Sequence, residues 1–248
     1  MAYALKFGSY TLPPTFSPTQ EPASAVVPLS KLPGGAGSRA SGRSLTGKTI
    51  QVEGGLVRTA SNPLRDQIDT LKAALQGSQA LYFEDDRYWK EAQLRDFEAR
   101  YEGAGFDRLA RITLGFVTGD PYQYSATLTT SDTTITASGQ SVSVTNSGNA
   151  PAAPKFVLTV GGSGAVTLNM TLANATTGES CTLIGAVTGG DVLTIDTLAE
   201  DVLRGTSGAI ALFDGVFPSL AAGANSLTLT YSSGSVTDLA VNFRARWH

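Results

Sequence analysis

The sequence is short of the residue types on which many enzymes depend. Among its 248 residues it has one cysteine, Cys181, and one histidine, His248. A lone cysteine excludes an intrachain disulfide and a cluster of thiolate ligands around a metal. A lone histidine at the last position leaves almost no scope for histidine-based acid–base catalysis or histidine-ligated metals. We therefore predict a protein without catalytic residues, cofactor or metal site.

Long apolar runs and strong charge are also absent. No stretch approaches the roughly 18 consecutive apolar residues of a membrane helix. The first seven residues lack the basic and apolar segments of a secretory signal, so none is expected. The net charge of −3 at pH 7 gives no positive surface for gripping nucleic acid. These absences favour a structural or binding protein.

Charge is distributed unevenly along the chain. Residues 1–124 contain 14 Lys and Arg and 13 Asp and Glu, whereas residues 125–248 contain 4 and 8. The second half covers its surface with serine, threonine, glycine and asparagine in place of charges. This shift predicts an N-terminal domain over 1–124 and a C-terminal domain over 125–248.

The N-terminal half has the pattern of strands around one helix. Residues 1–12 and 49–53 alternate apolar and polar side chains, which predicts strands, and the glycine pair 54–55 should end the second strand. Segment 13–47 is rich in proline, glycine and serine, so we expect an extended arm or loop lying on a neighbouring subunit. Segment 88–101 has helical propensity and spacing, but we interpret it as strands because of the family resemblance described below.

One amphipathic helix is predicted over 63–76. Asn62 is a suitable N-cap, Pro63 suits the first turn, and Gly77 follows as the terminating glycine. A helix of this length is marginal alone, so its apolar stripe must be packed. The helix face and the arm supply the candidate interface residues, namely Leu64, Ile68, Leu71, Leu75, Pro28 and Pro33.

The C-terminal half alternates like strands with one buried face. Turns of Gly, Asn, Asp and Ser separate the strands at the spacing of a β-sandwich. The predicted strands cover 133–136, 141–145, 155–160, 165–172, 180–184, 191–195 and 209–213. Two further strands, joined by a turn at 233–235, should complete the sandwich, the second reaching the C-terminus.

The most conspicuous motif is a phosphate-binding pattern, G-x-x-x-x-G-K-[ST], at residues 42–49. A working phosphate loop lies between a buried strand and a helix, because N–H groups at the helix start hold the phosphates. Here the preceding residues are rich in glycine and serine, and the following residues predict a strand. A chance match is the better interpretation, and a nucleotide-binding enzyme is the weakest alternative.

Acidic residues offer no better site. Segment 84–86 lacks the ligand spacing and the glycine of a calcium loop, so a solvated hairpin tip is favoured. Asp191, Asp196, Glu200 and Asp201 could supply a carboxylate pair for glycoside hydrolysis, but nothing in the sequence fixes their separation. We therefore predict that the protein is not an enzyme.

The ordered set of segments resembles the distal tail proteins of long, flexible-tailed bacteriophages, the siphovirus tail-component family. The resemblance includes the helix after a variable arm and the run at 111–122 that closes the N-terminal domain. In the second half it includes the stretches 146–151, 189–196 and 217–225. It spans most of the chain.

The resemblance implies a mainly β fold, with an N-terminal β-barrel or sandwich-like ring domain carrying one α-helix, followed by a galectin-like β-sandwich. It implies a ring-forming homo-oligomer, usually a hexamer, at the tail tip or baseplate of the virion, made in the bacterial host cytoplasm. The ring would join the major tail-tube protein to the tail-tip hub protein, with receptor-binding proteins as further partners. DNA would pass through its lumen without specific binding, and no membrane is involved.

An alternative from another functional class is a carbohydrate-binding β-sandwich protein for cell-surface glycans. Sandwiches of the galectin type often stack sugars on aromatic side chains. The second half of this chain has no tryptophan before Trp247 and no internal histidine. The sequence therefore favours the tail-tip hub over the carbohydrate-binding module.

Overall fold

The computed structural model describes residues 5–20, 25–26, 29–31, 38–40, 44–45, 48–84, 86–102 and 108–248. The chain divides into two units, Met1–Ala126 with His248, and Thr127–Trp247. Each unit has a hydrophobic core of its own. No helix within the described ranges is long and apolar enough to span a membrane.

In its described residues, the first unit consists of short and long antiparallel strands with one helix. These are β1 (Lys6–Phe7), β2 (Tyr10–Thr11), β3 (Ser17–Gln20), β4 (Ala25–Val26), β5 (Leu29–Lys31), β6 (Ser38–Ala40), β7 (Ser44–Leu45), β8 (Lys48–Val57), α1 (Leu64–Ala74), β9 (Ser78–Glu84), β10 (Arg87–Glu102), β11 (Leu109–Thr118) and β12 (Gln123–Ser125). The main sheet has the order β2-β1-β9-β10-β11-β8-β3, and β12 pairs with β10. Over the described ranges this sheet starts at β2, ends at β3 and does not close into a barrel.

Helix α1 is present, but it is shorter than the predicted 63–76. It covers Leu64–Ala74, and its N-cap is Pro63 in an extended conformation, without a side-chain hydrogen bond. Asn62 does not cap the helix as predicted, because its backbone forms a bridge with Thr59. Gly77 has a φ of +80°, which a glycine adopts without strain as the chain leaves the helix.

Strand β10 confirms the strand interpretation of the ambiguous segment 88–101. It pairs with β9, β11 and β12 and has three irregularities in its register, between Arg87 and Tyr88, between Trp89 and Ala92, and between Leu94 and Asp96. A bulge inserts a residue and shifts the alternation of side chains. Apolar residues three apart can therefore share one face of a strand, which is the physical reason for the helix-like spacing.

Strand β8 continues through its glycine pair, so the predicted break at 54–55 is wrong. The ring of Phe16 occupies the space beside Gly54, where a Cβ atom would lie 2.4 Å from the ring Cγ. The hydroxyl of Thr15 donates a hydrogen bond of 2.7 Å to the carbonyl oxygen of Gly55. Glycine is needed here for the close packing of Phe16, and the strand itself stays paired with β11.

The backbone of the arm, segment 13–47, forms more strand than its proline content predicted. Three antiparallel pairs are nested, β3 with β8, β4 with β7 and β5 with β6. Pro18 lies in β3, an edge strand of the main sheet, where a missing N–H donor costs no ladder bond. Pro28 and Pro33 lie outside the described residues.

The second unit is a sandwich of two antiparallel sheets. Its elements are β13 (Thr129–Thr134), β14 (Gln140–Asn146), β15 (Lys155–Val160), β16 (Ala165–Asn174), β17 (Glu179–Thr188), β18 (Val192–Asp196), β19 (Asp201–Arg204), β20 (Ser207–Gly208), a 3₁₀ helix (Ile210–Leu212), β21 (Phe213–Gly215), β22 (Gly223–Ser233), β23 (Val236–Phe243) and β24 (Arg246–Trp247). One sheet has the order β13-β23-β15-β18-β19-β20 and the other β14-β22-β16-β17-β21. Side chains from both sheets form one core. The prediction of a mainly β fold is confirmed.

Several predicted strands of the sandwich need correction. The strand at 155–160 has the predicted ends, but 209–213 is mostly a 3₁₀ turn, because the side chain of Leu212 packs directly on Gly185. Strand β19 was not predicted. The turn at 233–235 joins β22 in one sheet to β23 in the other, so the last two long strands belong to opposite layers.

Candidate functional site

The predicted interface stripe of the helix lies inside the first unit. Leu64 and Ile68 are each 4% exposed, and Leu71 and Leu75 are each 1% exposed. All four belong to the core beneath the main sheet. In this conformation they stabilise the unit itself.

The lysine of the phosphate-binding pattern is the first residue of a strand. Lys48 opens β8, and the strand continues to Val57 without a helix. Its ammonium lies 5.4 Å from the centroid of the Trp89 ring, in the geometry of a cation–π contact. This arrangement lacks the helix start that holds phosphates, and it gives no support to a nucleotide site.

The acidic residues of the sandwich stabilise turns. The carboxylate of Asp196 bonds the ammonium of Lys155 at 2.7 Å and accepts hydrogen bonds from two backbone N–H groups of the following turn. Asp191 pairs with Arg204 at 2.6 Å and also accepts from the N–H of Thr188. Within the described ranges, no three His, Cys, Asp or Glu side chains gather as metal ligands. These carboxylates already have structural partners.

A small polar cluster surrounds the buried Trp89 in the first unit. Lys48, Thr118 and Gln123 are 7%, 3% and 8% exposed, and Trp89 is fully buried. Gln123 is the cross-strand partner of Trp89, and Thr118 is that of Lys48, so each pair shares a face of the sheet. Among the described residues, none hydrogen-bonds the indole Nε1 of Trp89. Burial lowers the pKa of Lys48 because the charged form loses its hydration.

The bulge of β10 opens onto a polar cleft of about 540 Å³. Ser78, Gln93 and Asp120 are among its lining residues, together with Lys90 and Glu91 of the bulge. Glu91 has a φ of +56°, a left-handed conformation that is strained for a residue other than glycine. The lining residues named for the described part of the chain include no unpartnered buried donor and no convergent catalytic pair, so we assign the cleft no chemistry.

Three buried asparagines hold one end of the sandwich. Asn225 accepts from the N–H of Ala221 at 2.9 Å and from the amide of Asn174 at 3.1 Å. Its own amide donates to the carbonyls of Ala221 and Gly223. Asn174 also donates to the carbonyl of Ser219, and Asn146 to that of Ala150. This network holds the loop between β21 and β22.

A further contact fastens the same loop to β17. The carboxylate of Glu179 accepts hydrogen bonds of 2.7 Å from both the backbone N–H and the hydroxyl of Ser219. Burial alone would raise the pKa of Glu179, but these hydrogen bonds outweigh it and lower the pKa. The loop is therefore held by hydrogen bonds from both β17 and the asparagines.

The sequence contains a signal for the asparagine network. Asn146 follows Val144 in the inward-facing phase of β14, and Asn174 likewise follows Leu172 in β16. Asn225 precedes Leu227 in the inward-facing phase of β22. A polar residue in phase with a buried row must find hydrogen bonds, which predicts a buried capping network.

The outer face of the five-stranded sheet carries hydroxyl groups in place of aromatic rings. Thr171 and Thr182 hydrogen-bond across β16 and β17 at 3.1 Å, and Ser141 and Thr228 do so across β14 and β22 at 3.3 Å. The exposed apolar side chain on this face is Ile184. Such a face lacks the aromatic platform on which sugars stack, so no observation favours the carbohydrate-binding alternative.

Comparison with known proteins locates a family match in the second unit. Residues 147–247 match the profile of the family described as siphovirus-type tail component, C-terminal domain. This range includes the buried asparagines Asn174 and Asn225 and the loop that they hold. No curated protein matches the chain in sequence.

Solved structures show a shared fold. The Dit protein (gp 19.1) of phage SPP1, described as a paradigm of hub adsorption apparatus in phages infecting Gram-positive bacteria, aligns over 100% of both chains with a TM-score of 0.76 and 16% identity. Chains of the phage P2 baseplate, activated with Ca or Sr, align with TM-scores of 0.41 at 11% and 12% identity. They cover 98% and 97% of this chain and 90% of their own. The SPP1 likeness establishes the fold, and the resemblance to siphovirus tail components is confirmed.

Proposed function

We infer that this chain, whose residues 147–247 belong to the family of siphovirus-type tail component C-terminal domains, is a structural hub protein of a phage tail tip. The family match is the observation that carries this function. The full-length fold likeness to the SPP1 Dit protein supports it, because both units are included. The protein is a virion component, and its synthesis takes place in the cytoplasm of the bacterial host.

The first unit is the ring-forming domain in this proposal, with residues 125–248 as a galectin-like sandwich. Strand β3 is an edge of its main sheet, and an exposed edge presents unpaired N–H and C=O groups to a neighbour. A closed ring of identical subunits, with six copies as the expected number, pairs such edges by heterologous contacts. The arm lies on the adjacent subunit.

The ring connects the major tail-tube protein to the tail-tip hub protein, and receptor-binding proteins are candidate partners of the sandwich. DNA passes through the lumen, and a protein with a net charge of −3 has no excess positive charge to bind its phosphates. In this proposal the role is mechanical; Asp196 of the sandwich pairs with Lys155, and Lys48 lies over the ring of Trp89.

The first test is the mass of the purified full-length chain by light scattering, with negative-stain imaging of the same peak. We expect closed rings with outward lobes, and binding of those rings to the purified tail-tube protein. Antibody labelling of virions should mark the tail tip. Label elsewhere on the particle, or no label with the protein absent from purified virions, would overturn the proposal.

A further inference from the structure

One edge of the sandwich is a strand without the usual protection against pairing. Strand β14 (Gln140–Asn146) ends the five-stranded sheet, and among the described residues only β22 pairs with it. Its seven residues include no charge and no proline, and its pairing has no bulge. The other edge strands of the sandwich are β20 and β21, with two and three residues, and β13, which carries Asp132. Natural proteins protect exposed edges with charges, prolines, bulges or short strands, so an edge without these devices is expected to be covered.

The part of the sheet next to this edge is also uncharged. Strands β22 and β16 follow β14 in the sheet, and none of the three contains an aspartate, glutamate, lysine or arginine. Residues 125–248 contain 4 Lys and Arg and 8 Asp and Glu, so the negative charge of the sandwich lies on its other strands and turns. Two copies that meet by this side therefore bring no like charges together, which would be costly at an interface.

We propose that β14 pairs with β14 of a second copy of this chain, antiparallel and about a two-fold axis at Ser143. This is the register in which all seven residues of each strand take part. Ser141 then lies opposite Thr145, so hydroxyl groups meet on the outer face. Val142 lies opposite Val144 on the inner face, and such matched pairs across strands are favourable. The two five-stranded sheets become one continuous sheet.

The contact uses the same edge of both copies, which is the form that a two-fold contact takes. Alternate residues of each strand present their N–H and C=O groups to the other strand. Strand β13 is a poorer candidate, because self-pairing would bring the Asp132 carboxylates of the two copies close together. Pairing through β14 joins copies two at a time, so it is additional to the ring contact proposed for the first unit and does not depend on it.

Cysteine cross-linking of the full-length protein tests this register. In the variant Ser143→Cys the two thiols lie opposite each other, with Cα atoms about 4.5–5.5 Å apart, which suits a disulfide. In the control variant Ser141→Cys the two thiols lie about 13 Å apart along the strands, which is too far. The native Cys181 is buried in both variants. We expect mild oxidation to give a covalent dimer on a denaturing gel about tenfold faster for Ser143→Cys, whether or not rings form.

A charge at the axis tests the pairing without a disulfide. The variant Ser143→Lys places two ammonium groups opposite each other, so it should lose association that the wild type shows in sedimentation at rising concentration. Thr167→Lys is the control, because Thr167 is exposed on β16, two strands from the edge, and its two copies would lie about 20 Å apart, beyond screened repulsion. Equal cross-linking of the two cysteine variants, no cross-linking, or equal sedimentation of wild type and Ser143→Lys would overturn the proposal.

Discussion

Replacing Asn225 with alanine should destabilise the sandwich by about 3 to 5 kcal/mol. The substitution removes an acceptor from the N–H of Ala221 and from the amide of Asn174, and it removes donors from two carbonyls. The orphaned N–H of Ala221 costs about 1–3 kcal/mol, and the three further lost bonds, two of them only part-buried, together cost about 2 kcal/mol. Since a domain has a total stability of about 5–15 kcal/mol, this loss is a large fraction.

Hydrogen exchange by mass spectrometry suits this prediction, because its peptides report on each unit separately. The slowest amides of β16 and β22 give the free energy of unfolding of the sandwich in the wild type and the variant. Ser226→Ala is the control, since Ser226 is the exposed neighbour of Asn225, and its effect should stay within about 0.5 kcal/mol. A loss below about 1 kcal/mol for Asn225→Ala would refute the account of the network.

Three further predictions concern stability and reactivity. Burial would raise the pKa values of Glu179 and Asp196, but hydrogen bonds to Glu179, and Lys155 with backbone N–H groups at Asp196, lower both. The stabilisation from these two carboxylates is complete at neutral pH and is lost as the pH falls through about 4 and below. The double variant Glu179→Gln, Asp196→Asn should therefore show a flatter decline of the urea midpoint at acid pH than the wild type, and an unchanged decline would contradict this. Glu91→Gly should raise the free energy of unfolding by about 1 kcal/mol in urea denaturation, because it relieves a left-handed φ of +56°, and a loss would contradict the strain. Burial raises the pKa of the Cys181 thiol to about 12, so a colourimetric thiol reagent should react with it only after unfolding, and fast reaction of the native protein would show the residue to be accessible.

The strand pattern of the second half could be predicted because its surface and core residues alternate with little interruption. Strand β15 has the predicted ends, since its inward residues Phe156, Leu158 and Val160 form an unbroken row. The 3₁₀ turn at Ile210–Leu212 could not be predicted from alternation. It depends on the contact between Leu212 and Gly185, which lie far apart in the sequence.

The first unit was harder to predict for the same reason. Bulges in β10 change the phase of the buried side chains, so a strand acquired the spacing of a helix. The glycine pair in β8 predicted the end of the strand, but the strand continues, and the ring of Phe16 packs against Gly54. The position of Gln123 opposite Trp89 could not be predicted from the sequence, because it depends on the pairing of β10 with β12.

The order of strands in the sandwich has a consequence for its synthesis. Strands β13 and β14 emerge early, but each is an edge strand whose neighbours are β23 and β22, among the latest strands to be made. Neither early strand can be paired until β22 and β23 have left the ribosome, and such distant pairings form slowly. A chain that stopped before β22 would therefore lack both partner strands, and its second unit could not assemble. The nascent sandwich depends most on chaperones before these two strands are made.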